Sequence, residues 1–350
     1  MTTIPKARFV LSKSAVLEKY NEAKSLADSV SYSVKTNYQV AEILEDLTKS
    51  RFSVHFKRSV YNIKDNSRIL FFAQGWCEED LIELVGKGVC SFVVDNQNDL
   101  KVLTDYSSKN QNCRINLFLR MKMREHTIHT GKHYVYGMSS TIVNLLIPEL
   151  RKNNCIEKLG IHFHRKTQNV SEWSLKNELQ DSLKEENLKM IDEINIGGGL
   201  PVNYKNYSAS IIDEIKKKII ELREWLNSKK IMMIIEPGRF IAAPAAKLET
   251  YVINVYDNNI IINCSVFNSA MDTFVAHIRL IIKDELSEKD KNGEAFTVKG
   301  CTPDSMDIFR YRVFLKRPKV GDKIVFINAG AYNFSTDFCS LEKPETVIID

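Results

Sequence analysis

Long hydrophobic runs are missing from this sequence, and their absence narrows the class of protein first. No apolar stretch approaches the roughly 20 residues that a membrane-spanning helix requires. The first residues, MTTIPKARFVLSKSAV, also lack the extended apolar core of a secretory signal. We therefore expect no interaction with a membrane, and we interpret the chain as a cytoplasmic protein.

Paired cysteines and clustered positive charge are lacking too. The seven cysteines are odd in number, scattered, and without a CxxC motif, which argues against a disulfide framework or a structural zinc site. The formal net charge of +5 is spread over 350 residues, and basic residues do not alternate with aromatic ones as in proteins that bind single-stranded nucleic acid. We expect no nucleic-acid partner.

Glycine and proline are scarce, at 14 and 8 residues, so extensive disorder is not expected. Between about residues 14 and 240, short apolar runs alternate about eight times with helix-like segments that have a charged face. This α/β alternation predicts parallel strands joined by crossover helices, and the count is that of a (β/α)8 TIM barrel. The alternative, an open doubly wound sheet, would need a glycine-rich loop where the sequence reads KTNYQV.

The last third of the chain has a different pattern. Stretches such as KLETYVINVYDNNIIINC, YRVFL and DKIVFINAGAY are strand-like, with little helix between them. Asn258 and Asn259 are expected to form a hairpin turn. The sequence thus predicts two domains, a barrel in residues 1–240 and a mostly-β, barrel-like domain in residues 241–350.

Chemically active side chains collect at the predicted strand ends. In TIM barrels, the loops at the carboxyl ends of the strands form the active site. The residues at those ends are Lys35, His55, Gln74, Asp95, Arg120 or Lys122, His164, Gly197–Gly199 and Glu236. A lysine, a histidine, a glycine run and a glutamate at one mouth indicate a catalytic site.

The segment INIGGGLP predicts a phosphate site. Three glycines let the backbone approach a ligand, and successive N–H groups can bind a phosphate. The run follows the seventh predicted strand, and the loops after strands 7 and 8 are the usual phosphate site of these barrels. Thr167, in HRKTQ, could add a hydroxyl. The eighth strand ends at Glu236, which either faces the ring nitrogen of a cofactor or pairs with a basic neighbour.

Lys35 ends the run SYSVK on the strand face shared with Ser31 and Ser33. It either marks a solvated strand end or is a buried amine, because burial favours the neutral, nucleophilic form. Pyridoxal phosphate needs a lysine for its aldehyde, a phosphate site, a flat group such as His164 against its ring, and a group at its ring nitrogen. The sequence supplies all four, which predicts pyridoxal 5'-phosphate as the cofactor.

The remaining histidines are less informative. His162 shares a predicted strand face with His164 and is equally consistent with a packed core residue. His126, His129 and His133 do not have the spacing of a zinc motif, and no supporting carboxylates follow. We therefore predict no metal site.

Several motifs in a fixed order resemble the ornithine/diaminopimelate decarboxylase family, the barrel-type, alanine racemase-like group of pyridoxal phosphate enzymes. YSVKTN is similar to its lysine motif. GIHFH, INIGGGLP and IIEPGR are similar, in the same order, to its ring-stacking histidine, phosphate-binding glycines and pyridine-binding glutamate. GCTPDSMD and NAGAY are similar to its two carboxyl-terminal blocks, so the likeness extends over about residues 10–350.

The resemblance implies a role for each matching residue. Lys35 would form a Schiff base with the cofactor, His164 would stack on its ring, and Glu236 would pair with the pyridine nitrogen. Asp304 would contact substrate across the interface of an obligate homodimer with shared active sites. The residues implied to hold the phosphate are Thr167, Gly197, Gly198, Gly199, Gly238, Arg239 and Tyr332.

The family reaction implies the activity and the substrate class. It is the α-decarboxylation of an amino acid with a distal charged group, a small-molecule substrate, which gives an amine and carbon dioxide. Ornithine, lysine, diaminopimelate and a carboxylated polyamine are the expected kinds of substrate.

The sequence departs from the family pattern around the reacting groups. The family usually has a cysteine directly before Asp304, where this chain has Pro303. The proton donor would then be Cys301, another group or water. His55 and Phe56 replace small residues, which would alter the floor of the site.

Two further departures concern charge. Arg165 and Lys166 precede Thr167 where the family has Gly-Ser, and these cations could meet the phosphate or an acidic substrate. Asp272 is displaced from the position of the acid expected to bind a distal amine. The substrate is therefore left open.

Three alternatives to a decarboxylase remain. A racemase on this barrel would favour an arginine at the pyridine nitrogen, where this chain has Glu236. A protein that binds the cofactor or a partner without turnover, as in antizyme-inhibitor-like relatives, is consistent with the missing cysteine. A cofactor-free phosphate-binding barrel would leave Lys35 without a role.

Overall fold

The computed structural model describes residues 4–110, 113–123, 136–333 and 335–350. The chain divides into two compact units. The barrel unit comprises Tyr20–Leu200 and Ser210–Gly238, and the β unit comprises the chain up to Lys19, Pro201–Ala209 and Arg239–Asp350. The limits of 1–240 and 241–350 for independently folding domains stay a prediction. Within the described ranges, no helix is both long and apolar enough to cross a membrane.

Eight parallel strands close into a barrel, so the predicted TIM barrel is confirmed and the open doubly wound sheet is wrong. The chain begins with β1 (Arg8–Ser12) and α1 (Lys13–Leu26). The barrel strands are β2 (Ser29–Ser33), β3 (Arg51–Val54), β4 (Ile69–Phe72), β5 (Ser91–Val94), β6 (Ile115–Arg120), β7 (Ile156–His162), β8 (Glu193–Asn195) and β9 (Met232–Ile235). Each strand pairs with the next, and Val30 pairs with Ile235 to close the barrel.

Helices connect these strands. Their bounds are α2 (Tyr38–Leu47), α3 (Lys57–Val60), α4 (Glu78–Gly86), α5 (Gln97–Lys109), α6 (Ser140–Leu150), α7 (Leu175–Ser182), α8 (Glu185–Leu188) and α9 (Ile212–Ser228). The apolar residues of α9 recur at helical spacing, and Ile215, Ile219, Leu222 and Leu226 are buried. One apolar face per helix therefore packs inward while the charged face stays in water.

The barrel strands bury both apolar and polar side chains. A buried apolar cluster consists of Leu70, Phe72, Val93, Phe118 and Ile234. In addition, β3 and β8 bury Ser53 and Asn195, and β7 buries His162. Because buried polar groups are costly unless they are hydrogen-bonded, these polar residues must belong to a bonded network.

The β unit contains one eight-stranded sheet, which confirms the predicted mostly-β part of the fold. Its further elements are α10 (Arg239–Ala245), β10 (Ala246–Tyr256), β11 (Asn259–Ile262), α11 (Val266–Ser269), α12 (Asp272–Val275), β12 (Ile281–Ile282), β13 (Glu294–Lys299), β14 (Ile308–Leu315), β15 (Lys323–Ile327) and β16 (Glu345–Ile349). The strand order is β12–β15–β10–β11–β13–β14, and β1 pairs with β10 and β16.

The predicted hairpin between β10 and β11 exists, but its turn is one residue earlier than expected. Tyr256 pairs with Asn259, so Asp257 and Asn258 form the turn. Asp257 has a φ of +47°, in the left-handed region that aspartate tolerates better than most residues. The two adjacent asparagines favoured a turn at Asn258 and Asn259, whereas the turn begins at the aspartate before them.

Candidate active site

Lys35 lies just beyond β2, in the single 3-10 turn Val34–Thr36, rather than on the strand as expected. The reason is the start of α2. The side-chain oxygen of Asn37 accepts hydrogen bonds from the backbone N–H groups of Gln39 (3.0 Å) and Val40 (3.4 Å), which caps the helix. The chain must therefore leave the strand and turn tightly within three residues, and this turn presents Lys35 at the barrel mouth.

Lys35 keeps exposed surface in this turn. Desolvation lowers the pKa of Lys35, the charge of Glu236 opposes this shift, and the charge of Arg120 adds to it. The direction favours a larger neutral fraction of the amine, which is the form that attacks a carbonyl carbon.

Glu236, directly after β9, is buried and has three hydrogen-bond partners. Its Oε1 accepts hydrogen bonds from the Ser53 hydroxyl (2.7 Å) and the Asn195 amide (2.9 Å), and its Oε2 lies 3.2 Å from Nε2 of His162. Burial alone would raise the pKa of Glu236, but His162 and the hydrogen bond from Ser53 outweigh it and lower the pKa to about 2. The carboxylate is therefore ionised and held in one orientation.

His162 confirms the interpretation as a packed core histidine. It is fully buried, and its Nδ1 has no hydrogen-bond partner within the described residues. Burial lowers the pKa of His162 against the charge of Glu236, so the ring is neutral. With no acceptor at Nδ1, the proton lies on Nε2, which donates to Glu236. Only three of the roughly four acceptor sites of Glu236 are then used, and one on Oε2 remains.

The glycine run after β8 has a shape that side chains would destroy. Gly197 and Gly199 have φ values of +70° and +104°. A Cβ atom would lie 2.6 Å from the Phe163 carbonyl oxygen at Gly197, 2.5 Å from that of Glu236 at Gly198, and 2.5 Å from that of Lys166 at Gly199. All three positions therefore require glycine, and the run forms a narrow backbone cradle beside the barrel mouth.

His164 and the segment after it pack against this cradle. The backbone N–H of Gly198 donates to Nδ1 of His164 (3.2 Å), and the N–H of Asn169 donates to the Gly199 carbonyl (2.8 Å). Thr167 therefore lies in a loop anchored to the cradle. Desolvation, followed by the charge of Arg120, lowers the pKa of His164. Because the residue still exposes part of its surface, we expect a smaller shift than full burial would cause.

Gly238 follows β9 and packs against the turn that contains Lys35. A Cβ atom at this position would lie 2.1 Å from the Thr36 hydroxyl oxygen and 3.1 Å from Cβ of Ser33. Any larger residue would displace the turn that holds Lys35, so this glycine positions the lysine in addition to any contact with a phosphate.

Arg120 and His55 extend the site on the far side of the mouth. Arg120 ends β6, its Nε is buried without a hydrogen-bond partner in the described chain, and its guanidinium lies 5.4 Å from the Tyr136 ring centre. His55 follows β3, and its ring stacks on Phe72. The sequence analysis placed both at strand ends, but gave Arg120 no role and left His55 open.

Two phosphate-site candidates, Arg239 and Tyr332, belong to the β unit, and Asp272 lies beside one of them. Arg239 forms a two-pronged ion pair with buried Asp272 and donates to the Tyr204 hydroxyl (3.1 Å). Its guanidinium also lies 5.0 Å from the ring centre of Tyr332. Burial would lower the pKa of Arg239, but the hydrogen bond to Asp272 raises it instead. Asp272 thus neutralises an arginine.

Cys301 and Asp304 also lie in the β unit, in a loop that Asp307 holds together. The buried Asp307 carboxylate accepts hydrogen bonds from the N–H of Val266 (2.9 Å) and from the N–H and hydroxyl of Thr302 (3.1 and 2.7 Å). Asp304 is half-buried, and Cys301 is exposed. Desolvation and the charge of Asp307 raise the pKa of the Cys301 thiol, which therefore keeps its proton at neutral pH.

The two extra cations after His164 have acidic partners in their own loop. Arg165 pairs with Glu172 (3.2 Å) and Glu178, and Lys166 lies 3.6 Å from Glu172. These cations were expected to contact the phosphate or an acidic substrate. In the structure they form ion pairs with nearby glutamates. The sequence contained this signal, since both glutamates lie within 13 residues of Arg165.

The barrel unit thus brings together Lys35, Thr167, His164, Gly197–Gly199, Glu236 and Gly238. Arg239 and Tyr332 pack together in the β unit, and Cys301 and Asp304 share a loop there. His126, His129 and His133 lie outside the described residues. The sequence analysis missed Ser53 and Asn195, although two polar residues inside apolar strands were a signal for buried partners.

These features fit pyridoxal phosphate. The glycine cradle excludes side chains and suits a phosphate, Glu236 retains one acceptor site for a ring N–H, and Lys35 has a lowered pKa at the same mouth. The buried Nε of Arg120 lacks a partner in the described structure, which is expected where a polar ligand belongs. The fold and site together define a barrel-type pyridoxal phosphate enzyme.

Comparison with known proteins leads to the same class. The family model for the pyridoxal binding domain of pyridoxal-dependent decarboxylases matches residues 14–243. The chain is 24% identical over 281 residues to diaminopimelate decarboxylase of Bacteroides thetaiotaomicron, covering 76% of this chain and 72% of that one. It is 25% identical over 222 residues to carboxynorspermidine/carboxyspermidine decarboxylase of Campylobacter jejuni, covering 56% and 54%.

A solved structure shares the fold over almost the whole chain. Lysine/ornithine decarboxylase of Vibrio vulnificus, complexed with cadaverine, has a TM-score of 0.81 at 19% identity and covers 98% of this chain and 94% of that one. The chain belongs to the family of pyridoxal-dependent decarboxylases. It is a pyridoxal 5'-phosphate-dependent amino-acid decarboxylase.

Proposed function

We propose that this protein removes the α-carboxylate of a small amino acid with a distal charged group, and that it does so as a homodimer. The observation that carries the proposal is Glu236, an ionised carboxylate fixed by Ser53, Asn195 and His162 at the barrel mouth that contains Lys35. When bound, pyridoxal phosphate supplies an aldehyde for the amino group and a ring that withdraws electrons from the bond to the departing carboxylate.

Each proposed residue performs a separate task in this scheme. Lys35 anchors the cofactor and exchanges a proton at Nζ, for which its lowered pKa is favourable. Glu236 accepts a hydrogen bond from the ring nitrogen and keeps that nitrogen protonated. A carboxylate suits decarboxylation better than racemisation, because a protonated ring withdraws more electron density.

The remaining cofactor contacts hold the ring and the phosphate. His164 packs against the ring while Gly198 fixes its Nδ1 (3.2 Å). The proposed phosphate ligands are Thr167, Gly197, Gly198, Gly199, Gly238, Arg239 and Tyr332. Because Asp272 already neutralises Arg239, we expect the glycine N–H groups to contribute more to phosphate affinity than the arginine does.

The substrate class follows from the relatives and from one unavailable acid. The relatives are named for diaminopimelate, carboxyspermidine, and lysine or ornithine, which all carry a charged group away from the reacting carbon. Asp272 pairs with Arg239 and is buried, so it is not a receptor for a distal amine in this chain. We propose that Asp304 takes that role, contributed across the dimer interface of a cytoplasmic enzyme.

Cys301 is the proposed proton donor to the carbon that loses carbon dioxide. Its raised pKa keeps the thiol protonated, as a general acid requires. We expect Cys301→Ala to lower kcat by about a hundredfold, within the range of general acid catalysis. Cys90→Ala, at a half-buried cysteine directly before β5 and so at the amino-terminal end of the barrel, is the control and should leave kcat unchanged. Equal rates for both variants would reassign the donor to another group or to water.

The direct test of the proposed function is a substrate panel. The protein is loaded with pyridoxal phosphate and incubated with ornithine, lysine, diaminopimelate, carboxyspermidine, aspartate and glutamate, while carbon dioxide release is measured and the product is identified. We expect stoichiometric amine and carbon dioxide from a member with a distal charge. Racemised amino acid without carbon dioxide would indicate a racemase. Cofactor binding without turnover of any member would favour a non-catalytic relative.

A further inference from the structure

His55 holds an unusual position at the barrel mouth. It is the first residue after β3, and its ring lies parallel to that of Phe72, with centroids 4.5 Å apart and 8° between the planes. Phe72 in turn meets His162 edge-on, with centroids 5.0 Å apart. The three rings are thus packed in sequence, and the stacking on Phe72 fixes the orientation of His55.

The protonation state of His55 follows from its surroundings. Its Nδ1 is buried and has no hydrogen-bond partner within the described residues. A proton there would be a buried, unsatisfied donor, so the neutral ring must carry its proton on Nε2. The residue as a whole is only half-buried, so its exposed surface lies on atoms other than Nδ1.

Burial and the neighbouring charges together favour the neutral form of His55. Desolvation lowers the pKa of His55 to about 3, the charges of Lys35, His162 and Arg120 add to this, and Glu236 opposes it. The ring therefore stays neutral wherever an ordinary histidine titrates, and Nε2 remains a hydrogen-bond donor there. A neutral donor beside the cation of Arg120 suits an anionic oxygen and does not suit a protonated amine.

We propose that Nε2 of His55 donates a hydrogen bond to an anionic oxygen of the ligand held beside Lys35. That oxygen belongs either to the cofactor ring or to the substrate carboxylate. The proposal rests on the proposed function only in assuming a pyridoxal phosphate site at this mouth. It assigns to this chain a ligand-binding histidine where the related family has a small residue.

The first test measures the tautomer without any turnover. Nitrogen-15 NMR of the imidazole groups, with His55 assigned from the resonance that disappears in His55→Phe, reports which ring nitrogen is protonated. We expect the neutral Nε2–H form in cofactor-free protein from pH 5.5 to 8, and a shift of the Nε2 resonance on loading with pyridoxal phosphate or on adding substrate. A ring that titrates near pH 6.5, or one protonated on Nδ1, would overturn the proposal.

The second test separates the two possible oxygens. His55→Phe keeps the stacking on Phe72 and removes the donor, whereas His55→Gln keeps an N–H donor. Leu145→Ala, at an exposed residue of α6, is the control. The dissociation constant of pyridoxal phosphate is measured by fluorescence titration, and KM and kcat are measured on the loaded enzyme.

The outcomes assign or reject the contact. A rise of about tenfold or more in the dissociation constant of pyridoxal phosphate in His55→Phe, largely restored in His55→Gln, assigns the oxygen to the cofactor. A similar rise in KM with unchanged cofactor affinity assigns it to the substrate. Wild-type values for both constants in His55→Phe would refute the contact. If the protein binds the cofactor but turns over no substrate, the proposed function fails while the tautomer and the cofactor affinity still decide the role of His55.

Discussion

Two buried carboxylates lie at opposite ends of the same barrel, and their partners differ in kind. Glu193 is the first residue of β8, where Arg51 binds it through two nitrogens (3.0 and 3.1 Å) and Lys158 through one (2.9 Å). Glu236 follows β9 at the other end, and its partners are the neutral groups of Ser53, Asn195 and His162.

The difference shows how one barrel separates stability from chemistry. Two cations compensate the charge of Glu193. The Glu193 carboxylate therefore has a structural role at the amino-terminal end of the barrel. Neutral donors orient Glu236 without cancelling its charge, so that its negative charge remains able to act on a ligand. This matches the general division of TIM barrels, in which the carboxyl end carries catalysis and the amino end carries stability.

The largest expected effect at the mouth is that of Lys35→Ala. Without the amine, the protein has no covalent anchor for the aldehyde, so added pyridoxal phosphate should give no shifted visible absorbance and no turnover. Mass spectrometry after borohydride reduction measures the covalent attachment directly. Lys64→Ala, at an exposed lysine paired with Asp46, is the control and should behave as wild type. A Lys35→Ala protein that is still labelled would move the anchor to another lysine.

Glu236→Gln should lower kcat by about a hundredfold, which is typical when an oriented charge is removed from an active site. The affinity for pyridoxal phosphate should change much less, because the glycine cradle is untouched. Stopped-flow kinetics and a cofactor titration measure the two quantities separately. If cofactor affinity fell as strongly as kcat, Glu236 would serve in binding the cofactor and the contrast with Glu193 would lose its meaning.

The sequence predicted the barrel and most of the mouth because both rest on local patterns. Alternation of strand and helix set the fold, and Lys35, His164, the glycine run and Glu236 each follow an apolar strand that is visible in the sequence. The cap at Asn37 was equally local, but it was not recognised, so Lys35 was placed on the strand rather than in the turn.

What the sequence could not give is pairing across the barrel. Ser53 and Glu236 are 183 positions apart, and Arg51 and Glu193 are 142 apart, so their contacts depend on closure of the whole sheet. The pairing of Asp272 with Arg239 is similar, because the spacing of 33 residues has no local signature. The sequence showed only that Asp272 is displaced from the position of a substrate-binding acid, and its role as the counter-ion of Arg239 emerges from the fold.

At the amino-terminal end of the barrel, Glu193→Gln should reduce stability and leave chemistry intact. Removal of the carboxylate leaves two cations without their partner. Because Arg51 and Lys158 are partly exposed, we expect a loss of about 2 kcal/mol, below the range for fully buried pairs. Urea unfolding measures this loss, and kcat should stay near that of wild type. A Glu193→Gln enzyme of normal stability and impaired kcat would reverse the roles assigned to the two ends.

The smallest expected effect is the pH dependence of that loss. Burial would raise the pKa of Glu193, but the hydrogen bonds and charges of Arg51 and Lys158 lower it below the ordinary value of a glutamate. A carboxylate with a lowered folded-state pKa stabilises the protein fully above its unfolded pKa, and the stabilisation disappears as the pH falls through the folded value. The unfolding free energies of wild type and Glu193→Gln should therefore differ by a constant amount between pH 6 and 8 and converge below about pH 4. In acid, protonation of Glu193 itself removes its negative charge. A difference in unfolding free energy that persisted at low pH would therefore show that the glutamine perturbs packing rather than charge.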